Sequence, residues 1–136
     1  MLRSRQIIMV ALAGVLTAIL TSVAAAPAFA ASGLACRYTV IEWPGGFSAD
    51  LVIVNNTTTT ISGWTAAWNF QTPTQVTNTW NGSIVQGSPY DATGRSTAWN
   101  AVIRPGSSSA LGWTANAAAA DVPTEVIVNG ARCPVN

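Results

Sequence analysis

The sequence predicts an all-β sandwich over residues 31–136, and three observations carry that prediction. Apolar residues there fall in short β-rich runs separated by Gly, Pro, Asn and Ser clusters, with no convincing helical pattern. Two runs alternate with period two. Phe47, Ala49, Leu51 and Ile53 face away from Ser48, Asp50, Val52 and Val54, and Trp64, Ala66, Trp68 and Phe70 face away from Thr65, Ala67 and Asn69. A cysteine stands near each end of the region, Cys36 and Cys133.

In chain order, residues 1–30 read as a secretory signal peptide. Arg3 and Arg5 precede the mostly apolar stretch Ile7 to Leu20, and Ala28-Phe29-Ala30 supplies small residues for cleavage. One domain, 31–136, follows. In an exported chain the two cysteines read as a disulfide closing a loop of about 100 residues, worth about 4.7 kcal/mol in the chain-entropy model.

The first alternating strand, 47–54, leads through the polar loop Asn55 to Thr60 to the second, 64–70, with Gly63 at its start. Residues 75–80 form a strand ending at the Asn81-Gly82 turn, and 83–86 another. Gly87 to Arg95 is irregular, with no legible register. Residues 99–104 form a strand before Pro105-Gly106, and 109–114 one with Leu111 and Trp113 on the same face. Ala115 to Ala120 reads as a small-residue loop because Asp121 and Pro123 follow at once. The last strand, 125–128, ends at Asn129-Gly130.

The unusual feature of the composition is six tryptophans in a chain with no histidine and eleven charged side chains. Trp64, Trp68 and Trp113 lie in the apolar alternation and read as core. Trp43, Trp80 and Trp99 lie beside turns, among Asn, Ser, Thr and Gly. Trp80 poses a conflict of parity: Val76 shares its alternation and reads as buried, so a bulge between them is needed for Trp80 to face outward. Flat apolar rings among uncharged hydrogen-bonding groups suit a neutral ligand with apolar faces and hydroxyl edges, such as a sugar ring.

Without histidine, a Ser-His-Asp triad, a Cys-His pair and the usual His-rich metal sites are excluded. A glycosidase needs only paired carboxylates, and Glu42, Asp50, Asp91, Asp121 and Glu125 are scattered over turns and strand edges as ordinary surface charges. No metal, cofactor or catalytic group is expected. Residues 31–136 hold four arginines, no lysine and five carboxylates, which argues against a nucleic-acid partner and for little electrostatic steering. With the signal peptide removed, no membrane partner is expected either.

Residues 36 to 133 resemble a family 2 carbohydrate-binding module. The resemblance rests on Cys36 and Cys133, the run Trp43-Pro44-Gly45-Gly46-Phe47-Ser48-Ala49-Asp50, and Ser62-Gly63-Trp64-Thr65. It continues through Gln75-Val76-Thr77-Asn78-Thr79-Trp80-Asn81-Gly82, Trp99-Asn100, Pro105-Gly106-Ser107 and Val128-Asn129-Gly130-Ala131-Arg132-Cys133. It implies a secreted antiparallel sandwich of immunoglobulin-like or jelly-roll type with Cys36 bonded to Cys133. It also implies a flat binding face made by Trp43, Trp80 and Trp99 and assisted by Asp50, Asn78 and Thr114. Gly46, three residues after Trp43, matches members that bind cellulose, whereas xylan-binding members usually carry arginine there. The chain departs from the pattern at Ile41 and Ala110, where hydrogen-bonding side chains are common, in a short Cys36 to Trp43 segment, and over Gly87 to Arg95.

The expectation is therefore a monomeric, non-catalytic module for insoluble cellulose, with chitin as second ligand and xylan after it. Rings on neighbouring strands fall at multiples of the strand spacing, two of which make about 10 Å, of the order of a disaccharide repeat. The alternatives are the binding part of a truncated or very small glycoside hydrolase, and an adhesion or inhibitor protein that turns the same face to another protein.

Overall fold

The computed structural model describes Gly14 and residues 33–136; apart from Gly14, the signal-peptide reading of 1–30 lies outside the described residues. Eleven strands run in chain order: β1 (Leu34–Trp43), β2 (Gly46–Asn55), β3 (Ile61–Ser62), β4 (Thr65–Asn69), β5 (Thr74–Trp80), β6 (Ser83–Val85), β7 (Asp91–Arg95), β8 (Val102–Ile103), β9 (Ser108–Ala117), β10 (Glu125–Val128) and β11 (Ala131–Pro134). They make a four-stranded sheet in the order β1-β2-β9-β5, a five-stranded sheet in the order β11-β10-β4-β7-β6, and the small pair β3-β8. All named pairings are antiparallel.

The two large sheets pack through the faces that alternation marked as apolar. Phe47, Ala49, Leu51 and Ile53 of β2 are buried, as are Leu111 and Trp113 of β9. Opposite them lie Trp64, Ala66, Trp68 and Phe70. The sheets meet most directly where Trp68 stacks on Trp113, with ring centroids 4.8 Å apart and planes 28° from parallel. Tyr38 meets Trp113 edge-on at 5.6 Å, and Phe70 bridges Trp68 and Phe47 at 6.3 and 6.4 Å. The Tyr38 hydroxyl and the Trp68 and Trp113 indole nitrogens are buried with no hydrogen-bond partner among the described residues, so here shape and dispersion outweigh polar satisfaction. Burial, with the nearby Asp121 charge adding to it, pushes the Tyr38 hydroxyl well up, so it stays protonated.

Each side of the sandwich is closed differently. On one, Cys36 of β1 is bonded to Cys133 of β11 across a Cα separation of 5.6 Å and 97 residues of sequence. Cys36 also forms a parallel bridge with Val135, and its carbonyl accepts from the Asn136 N–H at 3.0 Å. On the other side the Gln86 amide spans the gap between sheets. Its oxygen accepts from the Val76 N–H at 2.8 Å, and its nitrogen donates to the Thr74 and Asp91 carbonyls at 2.9 and 3.1 Å.

The structure corrects three expectations. Gly87 to Arg95 is not irregular throughout, because its second half is β7, paired along its whole length with β4. The alternation escaped notice because its core-facing residues are Ala92 and Gly94, both small: a Cβ on Gly94 would run into Leu111 and come within 3.4 Å of Trp68. The turn before it is built by Asp91, whose carboxylate accepts from the Gly87 N–H at 2.7 Å and the Ser88 hydroxyl at 2.9 Å. Those bonds hold its pKa below the usual aspartate value. Second, residues 99–104 are not one strand; only Val102 and Ile103 pair, and Trp99 lies in a turn. Third, β9 runs on to Ala117, so the small-residue loop is shorter than expected. Strands β1 and β11, which carry the cysteines, and the short β3 are additions to the expected set.

Two outcomes follow for stability. Trp113→Ala opens a cavity where the sheets meet, and should cost about 3–5 kcal/mol, read as a large loss of denaturation midpoint or as failure to fold. Reduction of the Cys36–Cys133 bond should lower the melting temperature by well over 10 °C, on the scale of the about 4.7 kcal/mol of loop-closure entropy it supplies; an unchanged melt under dithiothreitol would contradict this.

Candidate functional site

Residues directly paired across an antiparallel sheet share a face, so the pairing of the four-stranded sheet reads out its outer surface row by row. One row is Trp43, Gly46, Asn116 and Gln75. The next is Ile41, Ser48, Thr114 and Asn78, and the third is Thr39, Asp50, Gly112 and Trp80. A fourth holds Arg37, Val52 and Ala110. Trp43, Asp50, Asn78, Thr114 and Trp80 therefore lie on one surface, opposite the core.

The bulge that Trp80 requires is present. Val76 pairs with Ala115 and Asn78 with Thr114, which leaves Thr77 as the extra residue in β5. Val76 packs against the core cluster, while Asn78 and Trp80 turn outward. The Thr77 hydroxyl meets that of Thr114 at 2.9 Å and donates to the Thr114 carbonyl at 3.2 Å, which holds the bulge in place.

Glycines let the two sheet-borne indoles lie down. A Cβ built on Gly46 would stand 2.8 Å from Trp43 Nε1 and 3.2 Å from its Cε2. A Cβ on Gly112 would fall on the Trp80 indole and stand 2.6 Å from Asp50 Oδ1. Each ring thus folds inward from an edge strand over a bare stretch of the neighbouring backbone. Glycine in a strand interior often marks such a close approach.

Trp99 stands in a turn beside this sheet. Its neighbour Asn100 donates from Nδ2 to the Asn81 carbonyl at 2.6 Å and towards the Ala110 carbonyl at 3.4 Å. Trp99 lines a shallow depression with Asn81, Asn100, Val102, Ser108 and Ala110. It is 74% exposed, against 43% for Trp43 and 38% for Trp80, whereas Trp64, Trp68 and Trp113 are at most 3% exposed. The two sets of tryptophans are thus separated by burial as the sequence indicated.

The geometry of the rings differs from the expected one. Trp43 and Trp80 stand on β1 and β5, the two edges of the sheet, three strand spacings or about 14 Å apart across it, and Trp99 stands on no strand. The two sheet-borne tryptophans are therefore rooted three spacings apart rather than two, and Trp99 is placed by a loop rather than by a strand. Sequence reasoning also passed over Ser48, which lies between Ile41 and Thr114, and the floor glycine Gly112. The glycine between Leu111 and Trp113 was the legible sign of the latter. Ile41 is exposed on the edge strand β1, in the same row as Ser48, Thr114 and Asn78, so that row runs from an apolar edge to hydroxyl and amide groups.

Comparison with known proteins places this antiparallel sandwich. Residues 34–133 match the family described as Cellulose binding domain, and the chain belongs to that family. It is 40% identical over 101 residues to Endoglucanase B of Cellvibrio japonicus, which covers 72% of this chain and 19% of that protein. It is 30% identical over 110 residues to Chitinase C of Streptomyces lividans, covering 80% of this chain and 17% of that protein. The chain thus spans less than a fifth of these curated relatives. Among solved structures, the chitin-binding domain of Chi18aC from Streptomyces coelicolor superposes with a TM-score of 0.61 at 26% identity, over 74% of this chain and 94% of that one.

Gly112→Ala tests the floor under Trp80. The three atoms nearest the added methyl belong to the outward-facing Trp80 indole and the Asp50 carboxylate rather than to backbone, so the fold should survive with a small change in melting temperature. The Trp80 ring should be displaced outward, read as increased acrylamide quenching of tryptophan fluorescence.

Proposed function

We propose that this domain is an exported, non-catalytic module that attaches to crystalline cellulose through Trp43, Trp80 and Trp99, with Asp50, Asn78 and Thr114 supplying hydrogen bonds to sugar hydroxyls. The observation that carries this reading is a set of three exposed indoles: Trp43 and Trp80 on the outer surface of a sheet whose other surface is the core, and Trp99 in a turn that shares a depression with Ala110 of that surface. Two of them lie flat over glycine, an arrangement that a flat polymer surface can meet and a pocketed ligand does not need. The face holds few charges, in keeping with a neutral polymer. Each ring that stacks on a sugar contributes about 2 kcal/mol, judged from the burial of a large apolar side chain. Three rings together supply about 6 kcal/mol, from which the cost of association is subtracted.

Chitin is the second reading, and a specific observation favours it: the likeness at 26% identity to a domain named as chitin-binding. Chitin shares the flat β-1,4-linked ribbon, so the same rings serve both. A hydrolytic role for the domain itself has the weaker support, since its carboxylates are spread: Asp50 lies on the face, Asp91 and Asp121 cap backbone N–H groups, and Glu125 pairs with Arg132 at 2.7 Å.

Depletion isotherms on microcrystalline cellulose, chitin and insoluble xylan test the proposal. Trp43→Ala, Trp80→Ala and Trp99→Ala should each lower cellulose affinity at least about fivefold with the melting temperature nearly unchanged. Retained affinity in all three folded variants would remove the face from the mechanism. Tighter binding to chitin than to cellulose would make chitin the ligand, and sugar release from amorphous cellulose would restore the enzymatic reading.

A further inference from the structure

We propose that Asn100 is a positioning residue that sets the Trp99 ring relative to Trp80, by cross-linking the loop that carries one to the turn that follows the other. The proposal rests on the reading of these two rings as parts of one binding face. Trp99 lies outside every strand, so no ladder of backbone hydrogen bonds orients it. Its neighbour supplies that order instead. The Asn100 side-chain oxygen accepts from the Thr97 N–H and hydroxyl, both at 2.8 Å, which closes its own loop. The side-chain nitrogen points the other way, donating to the Asn81 carbonyl at 2.6 Å and towards that of Ala110 at 3.4 Å. The Asn100 carbonyl is held as well, accepting from the buried Trp64 indole N–H and from the Ser109 hydroxyl, each at 3.0 Å.

The partner turn is the fixed end of this link. Asn81 follows Trp80 directly and sits in the left-handed region at φ 60°. The adjoining Gly82 has no free space, since a Cβ there would stand 2.6 Å from both the Arg95 carbonyl oxygen and Leu111 Cδ1. One hydrogen bond thus joins the residue after Trp80 to the residue after Trp99. A ring held before contact does not have to be ordered on contact, which is how preorganisation raises affinity without adding a contact to the ligand.

Asn100→Asp isolates the link. Aspartate keeps the shape and the oxygen that Thr97 uses, but sets a second oxygen against the Asn81 and Ala110 carbonyls. Cellulose affinity should fall about three- to tenfold, the scale of one hydrogen bond. In a Trp99→Ala background the same substitution should change affinity less than about twofold, because its effect runs through that ring. In the free protein, the ¹⁵N-labelled indole N–H signals of Trp99 and Trp80 should move while that of Trp43 stays. Where Trp99→Ala itself weakens binding, wild-type affinity of Asn100→Asp, or an equal loss with and without Trp99, would overturn the proposal, the latter by showing a role in the fold at large. If Trp99→Ala alone binds normally, the binding role of Trp99 is lost, and the indole signals still decide whether Asn100 positions it: moved signals uphold the link and unmoved ones refute it. If Asn100→Asp does not fold, the smaller Asn100→Ala, which removes the link without opposing oxygens, is read by the same measurements.

Discussion

The stack of Trp68 on Trp113 is the contact on which the rest of the molecule depends. Each ring is rooted in an inner strand of its sheet, β4 on one side and β9 on the other. Strand β9 then does two jobs at once. Its inward residues Leu111, Trp113 and Ala115 are buried, and its outward residues Gly112, Thr114 and Asn116 form the middle of the opposite surface. A slip of one residue along β9 would exchange these sets. The aromatic core therefore fixes the register of the candidate face, although none of its rings belongs to it.

How much of this was legible in the sequence depended on side-chain size. Where large apolar residues alternated, as in Phe47 to Ile53 and Trp64 to Phe70, strand and face were both readable. Where small residues face the core, as with Ala92 and Gly94, alternation carried no signal, because the bulk filling that space comes from Leu111 and Trp68 on other strands. The bulge in β5 was deducible as a need, from the clash of parity between Val76 and Trp80. Its place at Thr77 was not, since that depends on Thr114 across the sheet. The place of Trp99 was legible only as beside a turn. What holds it comes from Asn81, Ala110, Trp64 and Ser109, each contact spanning nine to thirty-six residues of sequence.

The face and the core call for opposite things of the same residue type. Trp113 is enclosed on all sides and leaves its N–H without a partner among the described residues. Trp43 and Trp80 are supported from below by the absence of a side chain and left open above. The difference lies in the neighbours: Trp43 and Trp80 face glycine across the strand, and Trp68 and Trp113 face other aromatics. Changes to the outer rows can therefore alter what the surface meets with little effect on packing, which is consistent with one sandwich being shared by relatives named for different polysaccharides.

The disulfide has a consequence of a mechanical kind. It joins β1 to β11 close to where the chain enters and leaves the sandwich, with Asn136 hydrogen-bonded back to Cys36. The domain is placed under load when the chain on either side of it is pulled. Tension applied between its two ends passes from Cys36 to Cys133 through one covalent bond, and the strands between them carry none of that load. The sheets are in that respect a parallel branch of the circuit: chain outside the cysteines can be stretched while the register of the surface stays as it was.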